Sequence, residues 1–127
     1  MQDRDQQMRA LAQRFFDAIE KGDIEAVGSC YAEDAGIWHN DDRLVQGRQD
    51  NLKLLGRFAA AFPVRRYLER RVQVTADGFV QEHVLHVTRR DGRQFELPAA
   101  IICTVKDGNI VRLNEYLDSA QVAALRS

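Results

Sequence analysis

The sequence predicts an α+β domain, with helices gathered on one face of a curved antiparallel sheet that rolls into a cone-shaped barrel, and a short helix at the end of the chain. Three observations carry that reading. Apolar residues recur at helical spacing as far as Phe62, the period falls to two after Pro63, and three Asp-Gly pairs punctuate the second half of the chain.

From about Asp3 to Lys21 the apolar positions are Met8, Leu11, Ala12, Phe15, Phe16 and Ile19, the stripe of a helix with one buried face. Gly22 offers a left-handed stop, and Asp23 can cap a second short helix running to about Cys30. Tyr31 to Asp34 turns the chain into a strand over roughly Ala35 to Asn40, and Asn40-Asp41-Asp42-Arg43 makes a polar loop. Gly47 precedes a third helix, about Arg48 to Phe62, with Leu52, Leu55, Phe58, Ala59 and Phe62 inward, and Pro63 ends it. Strands are expected at about 66–76, 79–90, 94–106 and 109–117, separated by Asp77-Gly78, Asp91-Gly92 and Asp107-Gly108. An Asp-Gly pair between strands favours a tight hairpin, because both central positions of that turn take positive φ. Asp118 then resembles the cap of a terminal helix through Val122 and Leu125.

The chain has 127 residues, 45% hydrophobic and 29% charged, which suits one globular domain without linker or repeat. A formal net charge of -1 argues against nucleic acid or an anionic membrane as partner. Arg65, Arg66, Arg70 and Arg71 read as a solvated sheet face or a subunit contact. No apolar run approaches the roughly 20 residues of a membrane span, and the N-terminus is too polar for a signal peptide, so a cytoplasmic location is expected. Cys30 and Cys103 look like small buried hydrophobes. The three histidines, His39, His83 and His86, form no metal motif with them, and no metal is expected.

The chemistry centres on Val111-Arg112-Leu113-Asn114-Glu115-Tyr116-Leu117-Asp118. Alternate side chains of a strand face opposite ways, so Glu115 shares a face with Val111, Leu113 and Leu117, while Arg112, Asn114, Tyr116 and Asp118 take the wet side. Burial disfavours an ionised carboxylate and raises a pKa by up to ~3–5 units in the extreme, which makes Glu115 the candidate for acid–base work. The alternative is a rim or structurally paired Glu. Phe79, Gln81, His83, Leu85 and Val87 share the more apolar face of an earlier strand, which brings in His83 as a partner for Glu115 or as a satisfied core residue. On the strand after it, Phe95, Leu97, Ala99, Ile101, Cys103 and Val105 form an apolar row in which Ala99 leaves room for a ligand or for a helix. In the first strand Trp38 and Asn40 share one parity and Ile37 and His39 the other, and periodicity does not choose between them. Asn40 can hydrogen-bond a ligand carbonyl, hydroxyl or water, or it can begin the adjoining turn.

With Tyr31-Ala32-Glu33-Asp34-Ala35 leading into a strand, Gly47 before the third helix, and Asp107-Gly108-Asn109-Ile110 followed by Glu115-Tyr116-Leu117-Asp118, the chain resembles the nuclear transport factor 2-like superfamily, and within it the SnoaL-like polyketide cyclases and ketosteroid isomerase relatives. That resemblance implies a cone-shaped α+β barrel, a homodimer packed through the sheet, and a pocket for a small hydrophobic molecule. A narrower resemblance is to limonene-1,2-epoxide hydrolase. Trp38-His39-Asn40 stands at its aromatic-X-Asn motif, Glu82-His83-Val84-Leu85 at its Glu-Arg-X-Asp motif, and Asn114-Glu115-Tyr116-Leu117-Asp118 at its closing motif. The Asn is kept as Asn40 and one acid as Glu115, whereas His83 replaces Arg, Leu85 replaces Asp, and Trp38 lacks the aromatic hydroxyl. This resemblance implies that Trp38 and Asn40 point into the pocket.

The combined expectation is a cofactor-independent isomerase, cyclase, lyase or hydrolase working by proton transfer. Glu115, His83 and Asn40 would be its catalytic groups, and Trp38, Phe58, Leu85, Ala99, Ile101 and Leu113 its apolar lining. A non-catalytic ligand-binding or dimerisation module is the alternative.

Overall fold

A computed structural model describes residues 3–127. Helix α1 (Arg4–Lys21) is capped reciprocally: the Asp3 carboxylate accepts from the Gln6 backbone N–H, and the Gln6 side chain accepts from that of Asp3. Gly22, at φ 71, ends it in the left-handed region. The whole expected stripe from Met8 to Ile19 is buried. Helix α2 (Ile24–Cys30) comes next, with the Asp23 side chain accepting from the Ala26 N–H. Strand β1 (Tyr31–His39) starts earlier than its pattern indicates, because its register breaks between Tyr31 and Gly36 and the exposed Glu33 and Asp34 interrupt the alternation. Strand β2 (Val45–Gly47) has no counterpart among the expected elements. Three residues on an edge are too few to show a period. Helix α3 (Arg48–Ala61) turns Leu52, Leu55 and Phe58 toward the core, but its one fully buried side chain is Asn51.

Strands β3 (Val64–Val74), β4 (Gly78–Thr88), β5 (Gln94–Lys106) and β6 (Asn109–Leu117) form the expected meander, and α4 (Ser119–Leu125) comes after it. Asp118 caps α4, accepting from the N–H groups of Ala120 and Gln121. The sheet runs β2-β1-β6-β5-β4-β3 and does not close. Every pairing is antiparallel except β1 with β6, which is parallel. The chain leaves β1, crosses through α3 and the meander, and returns beside β1 in the same direction, a pairing no hairpin can make. The α+β cone therefore stands, with a mixed rather than purely antiparallel sheet.

The Asp-Gly pairs serve different purposes. Asp107 and Gly108 both take positive φ, at 53° and 81°, as a two-residue hairpin requires. In the Asp91-Gly92 turn only Gly92 does so. Gly78 lies inside β4, where a Cβ would run into the Cys103 carbonyl, so it is glycine for close strand approach rather than for its torsion.

Arg65 departs from the solvated face expected of the arginine cluster. It is buried, and its guanidinium donates to the carbonyls of Ile19 (2.9 Å) and Glu20 (2.9 Å) near the end of α1, and of Ala59 (3.1 Å) and Phe62 (2.6 Å) at the end of α3. Helix C-termini leave carbonyls without intrahelical partners and carry partial negative charge, which a buried cation answers at two helices at once. Arg70, just past the positive-φ Glu69 in a β3 irregularity, pairs with Asp17 (2.7 Å) and Glu20 (3.0 Å) on α1. Arg66 and Arg71 are exposed. These contacts hold α1 and α3 across the mouth of the sheet and leave the interior of the cone as the place where a site can form.

Candidate functional site

Between α1, α3 and the sheet a cavity of about 40 Å³ remains. That is room for about three water molecules. Helix α1 supplies Phe15, Phe16 and Ile19 to its wall, β1 supplies Tyr31, Ile37 and His39, and α3 supplies Asn51 and Leu55. Tyr67, Ile101, Leu113 and Glu115 complete it from β3, β5 and β6. Larger clefts exist, among them one of about 440 Å³ lined by Arg66, His86 and Glu96, but Glu115 lines none of them. The small cavity gathers the acid, two phenols and an imidazole, and chemistry rather than size identifies it.

Glu115 does face inward, in the row with Leu113 and Leu117. A register break between Thr104 and Val105 puts Ile110, rather than Val111, into the buried set at the start of β6. Glu115 is not an isolated acid. His39 lies directly opposite it on β1, and the two meet at 3.0 Å between Nε2 and Oε1. Burial alone would lower the His39 pKa, but the hydrogen bond and charge of Glu115 outweigh it and raise His39 above its ordinary value.

The first strand thus has the opposite parity to the one implied by the hydrolase resemblance. Ile37 and His39 point in. Trp38 points to the outer face, where its ring packs edge-on against Tyr116 at 5.2 Å. Asn40 lies past the end of β1, and its amide bonds the Leu117 backbone rather than entering the cavity wall. His39 was legible as one of two parities. Choosing it required knowing that β1 lies beside β6.

His83 is buried on the inner face of β4, but it does not pair with Glu115. Strand β5 intervenes, and across it Glu115 is in register with Ile101 while His83 is in register with Ala99. Its Nδ1 meets Gln81 Nε2 at 2.8 Å, and its ring packs edge-on to Tyr67 (4.7 Å) and Phe16 (5.1 Å). With Gln81 donating to Nδ1 the ring proton sits on Nε2. His83 Nε2 and Gln81 Oε1 are both buried and have no hydrogen-bond partner among the described residues. Burial, which Glu115 partly offsets and Arg70 reinforces, pushes the His83 pKa down to about 4. Of the expected apolar lining, Ile101 and Leu113 line the cavity. Leu85 lies in the core, Ala99 pairs with His83 in register, and Phe58 packs on Phe62 at 5.3 Å, all three off the cavity wall.

Two tyrosines and an asparagine were missed. The Tyr31 hydroxyl donates to Asn51 Oδ1 (2.7 Å), and Asn51 Nδ2 donates to Gln46 Oε1 (3.2 Å). Tyr67 lines the cavity, and no hydrogen bond from its hydroxyl to the described residues is seen. Burial first, and then nearby groups including Glu115, raise the pKa of both phenols, so both stay protonated at neutral pH. Tyr67 sits in the inward parity of its strand, a signal the sequence does contain. Asn51 is a polar residue on a helix's buried face and carries no comparable signal.

The His83 environment has a pH consequence. Its folded pKa lies below the ordinary value of about 6.5, so the unfolded chain binds the extra proton between the two. Stability should therefore fall as pH drops from about 6.5 to about 4. His39 has the opposite sign, since its contribution is complete below about 6.5 and is lost as pH rises through its raised folded pKa. Urea midpoints across pH 4–7 should fall less steeply in His83→Phe than in the unsubstituted protein. An unchanged slope would remove His83 as the cause.

Residues 12–113 match the SnoaL-like domain family, which is most of the chain. This protein belongs to that family. Among solved structures it is similar to a candidate polyketide cyclase from Xanthomonas campestris, at 23% identity and a TM-score of 0.84, over 96% of this chain and 98% of that one. It is similar to a protein of ketosteroid isomerase-like fold from Catenulispora acidiphila, solved with trimethylamine, at 16% identity and a TM-score of 0.79, over 91% and 90%. It is also similar to a candidate isomerase from Bacillus subtilis at 13% identity and a TM-score of 0.84, over 98% and 96%. At these identities the structures establish a shared fold. No curated protein matches the chain. In this SnoaL-like protein no helix among the described residues is long and apolar enough to cross a membrane.

Proposed function

We propose that this SnoaL-like protein is a cofactor-independent acid–base enzyme of the isomerase or cyclase type, acting on a small hydrophobic carbonyl compound within the cone. The observation that carries this reading is the Glu115–His39 pair facing a cavity walled by aromatic rings, with the protonated Tyr67 hydroxyl beside it and without a hydrogen-bond partner among the described residues. Glu115 is the general base: it takes a proton from the carbon next to the carbonyl, and the electron pair of that C–H bond moves to the carbonyl oxygen as an enolate. Tyr67 donates a hydrogen bond to that developing charge, and return of the proton to a different atom completes an isomerisation. His39 holds the Glu115 carboxylate in place, and His83, neutral behind Phe16 and Tyr67, supports the Tyr67 ring. The similarity to a candidate polyketide cyclase and a candidate isomerase supports the same class of chemistry. The cavity holds about three waters, less than any ketone occupies, so the first trials use short enolisable ketones, which enter only as the wall side chains move aside.

The test is α-deuteration of acetone, butanone or cyclopentanone in deuterated water, measured by NMR. The protein should exceed the buffer rate and Glu115→Gln should not. Equal rates in the two proteins would refute Glu115 as the base.

The small cavity volume favours a second reading, a module whose surface rather than interior does the work. Tyr116 is 43% exposed and Ile102 44%, both on the outer face with Trp38, and we place a homodimer contact there. Sedimentation should show a dimer that Ile102→Lys converts to monomer. A monomer at every concentration would refute the contact. Two buried, unpaired thiols support a reducing compartment such as the cytoplasm.

A further inference from the structure

We propose that Asn40 is a positioning residue: its side-chain amide stands in for a strand peptide beyond the end of β1 and thereby holds Glu115 across from His39. The inference rests on the reading of Glu115 and His39 as the reactive pair.

The β1–β6 ladder that aligns this pair is short. After the break at Tyr31–Gly36, regular pairing covers Gly36 to His39 against Arg112 to Glu115. Beyond His39 the chain turns away, with the Arg43 N–H donating to the His39 carbonyl (2.9 Å) and Arg43 at φ 58. No strand peptide remains to pair with the β1-facing side of Leu117. Asn40 supplies one. Its backbone N–H donates to the Glu115 carbonyl (3.0 Å), its Nδ2 donates to the Leu117 carbonyl (2.9 Å), and its Oδ1 accepts from the Leu117 N–H (2.8 Å).

Those three bonds keep the spacing of a ladder. In an extended strand the backbone groups of residues two apart point to the same side, so the clip takes up consecutive β1-facing positions of β6. Matching a peptide needs a donor and an acceptor on separate atoms at amide spacing, which only Asn and Gln side chains carry. A hydroxyl offers both functions from a single atom, and an ionised carboxylate offers no donor. With the backbone held at Glu115 and again at Leu117, β6 cannot slide or swing away from β1, and so carry Glu115 away from His39, without breaking the clip. The bond to Leu117 also steadies Asp118, the cap of α4.

The readout is the His39 imidazole, which requires no substrate. The charged groups facing it are Glu115 from β6 and Asp41 and Asp42 from the adjoining loop, with Arg126 after α4 3.7 Å from Asp41. His39, His83 and His86 would be titrated by NMR in the unsubstituted protein, Glu115→Gln, Asn40→Leu and Asn40→Ser. Glu115→Gln should lower the His39 pKa. Asn40→Leu should lower it by about half a pH unit or more, a size well within the spread that protein environments impose. His83 and His86 should hold their values, which a general loosening of the fold would not allow. Asn40→Ser is read in the same way if Asn40→Leu does not fold. If Glu115→Gln lowers the His39 pKa while the folded Asn40 variants leave it unchanged, the positioning role is overturned and the pair stands. If Glu115→Gln leaves His39 unmoved, the pair falls, and the reading of the site falls with it.

Discussion

Glu115→Gln should reduce the rate of α-deuteration about 10²–10⁴-fold, the range that a positioned proton-transfer group contributes, while the protein remains folded. The amide matches the carboxylate in shape and can still accept a hydrogen bond from His39 Nε2, so the wall of the cavity is preserved. What it loses is a basic oxygen and a negative charge. His39 then keeps only the charges of Asp41 and Asp42 to offset its burial, and its pKa should fall. The two effects can be read separately, rate by deuterium incorporation and charge by imidazole titration. A large fall in rate with an unchanged circular dichroism spectrum and urea midpoint identifies chemistry. A fall in rate that tracks a fall in stability would instead make Glu115 a structural residue.

The second large effect concerns Arg65, far from that chemistry. Arg65→Met should lower the unfolding free energy by about 3–5 kcal/mol. Methionine keeps much of the stem's volume but takes the guanidinium from the carbonyls of Ile19, Glu20, Ala59 and Phe62, of which Ile19 keeps the Gly22 N–H. Hydrogen bonds to a charged group contribute about 1.5–3 kcal/mol each, but four on one guanidinium are not additive, and some of these carbonyls can turn toward water. Against a typical domain stability of about 5–15 kcal/mol, the loss would bring the fold close to its limit. Urea denaturation monitored at 222 nm measures it, with the slope reporting whether the native state has also loosened. A loss below about 1 kcal/mol would mean that water serves these helix ends as well as the guanidinium does.

Arg65 also illustrates where sequence reading stops. Arg65, Arg66, Arg70 and Arg71 look alike as letters. One becomes a buried clasp between two helix ends, one pairs with α1, and two stay in solvent. Nothing local distinguishes them, because the carbonyls that Arg65 serves at Ile19 and Glu20 are 46 and 45 residues away along the chain. The strands β5 and β6 were legible to the residue, since long alternation between strong turn signals leaves little freedom. The edge strand β2 and the early start of β1 were not. One is too short to have a period, and the other is disguised by an irregularity.

What the sequence determined by itself was the set of inward rows: Phe79 to Val87 with His83 among them, Phe95 to Val105, and Leu113 with Glu115. A strand's faces alternate whatever it lies beside, so alternation is a local property. What only the tertiary structure decided was which rows meet. The parallel pairing of β1 with β6 joins residues separated by the helix and the whole meander, and no period in the chain records it. That pairing turned His39 inward and Trp38 outward, gave Glu115 an imidazole on the adjacent strand in place of His83 two strands away, and set Asn40 against the backbone at Leu117. The acid was visible in the chain. Its partner was a matter of strand order, settled by long-range packing of the cone around Phe15 and Phe16.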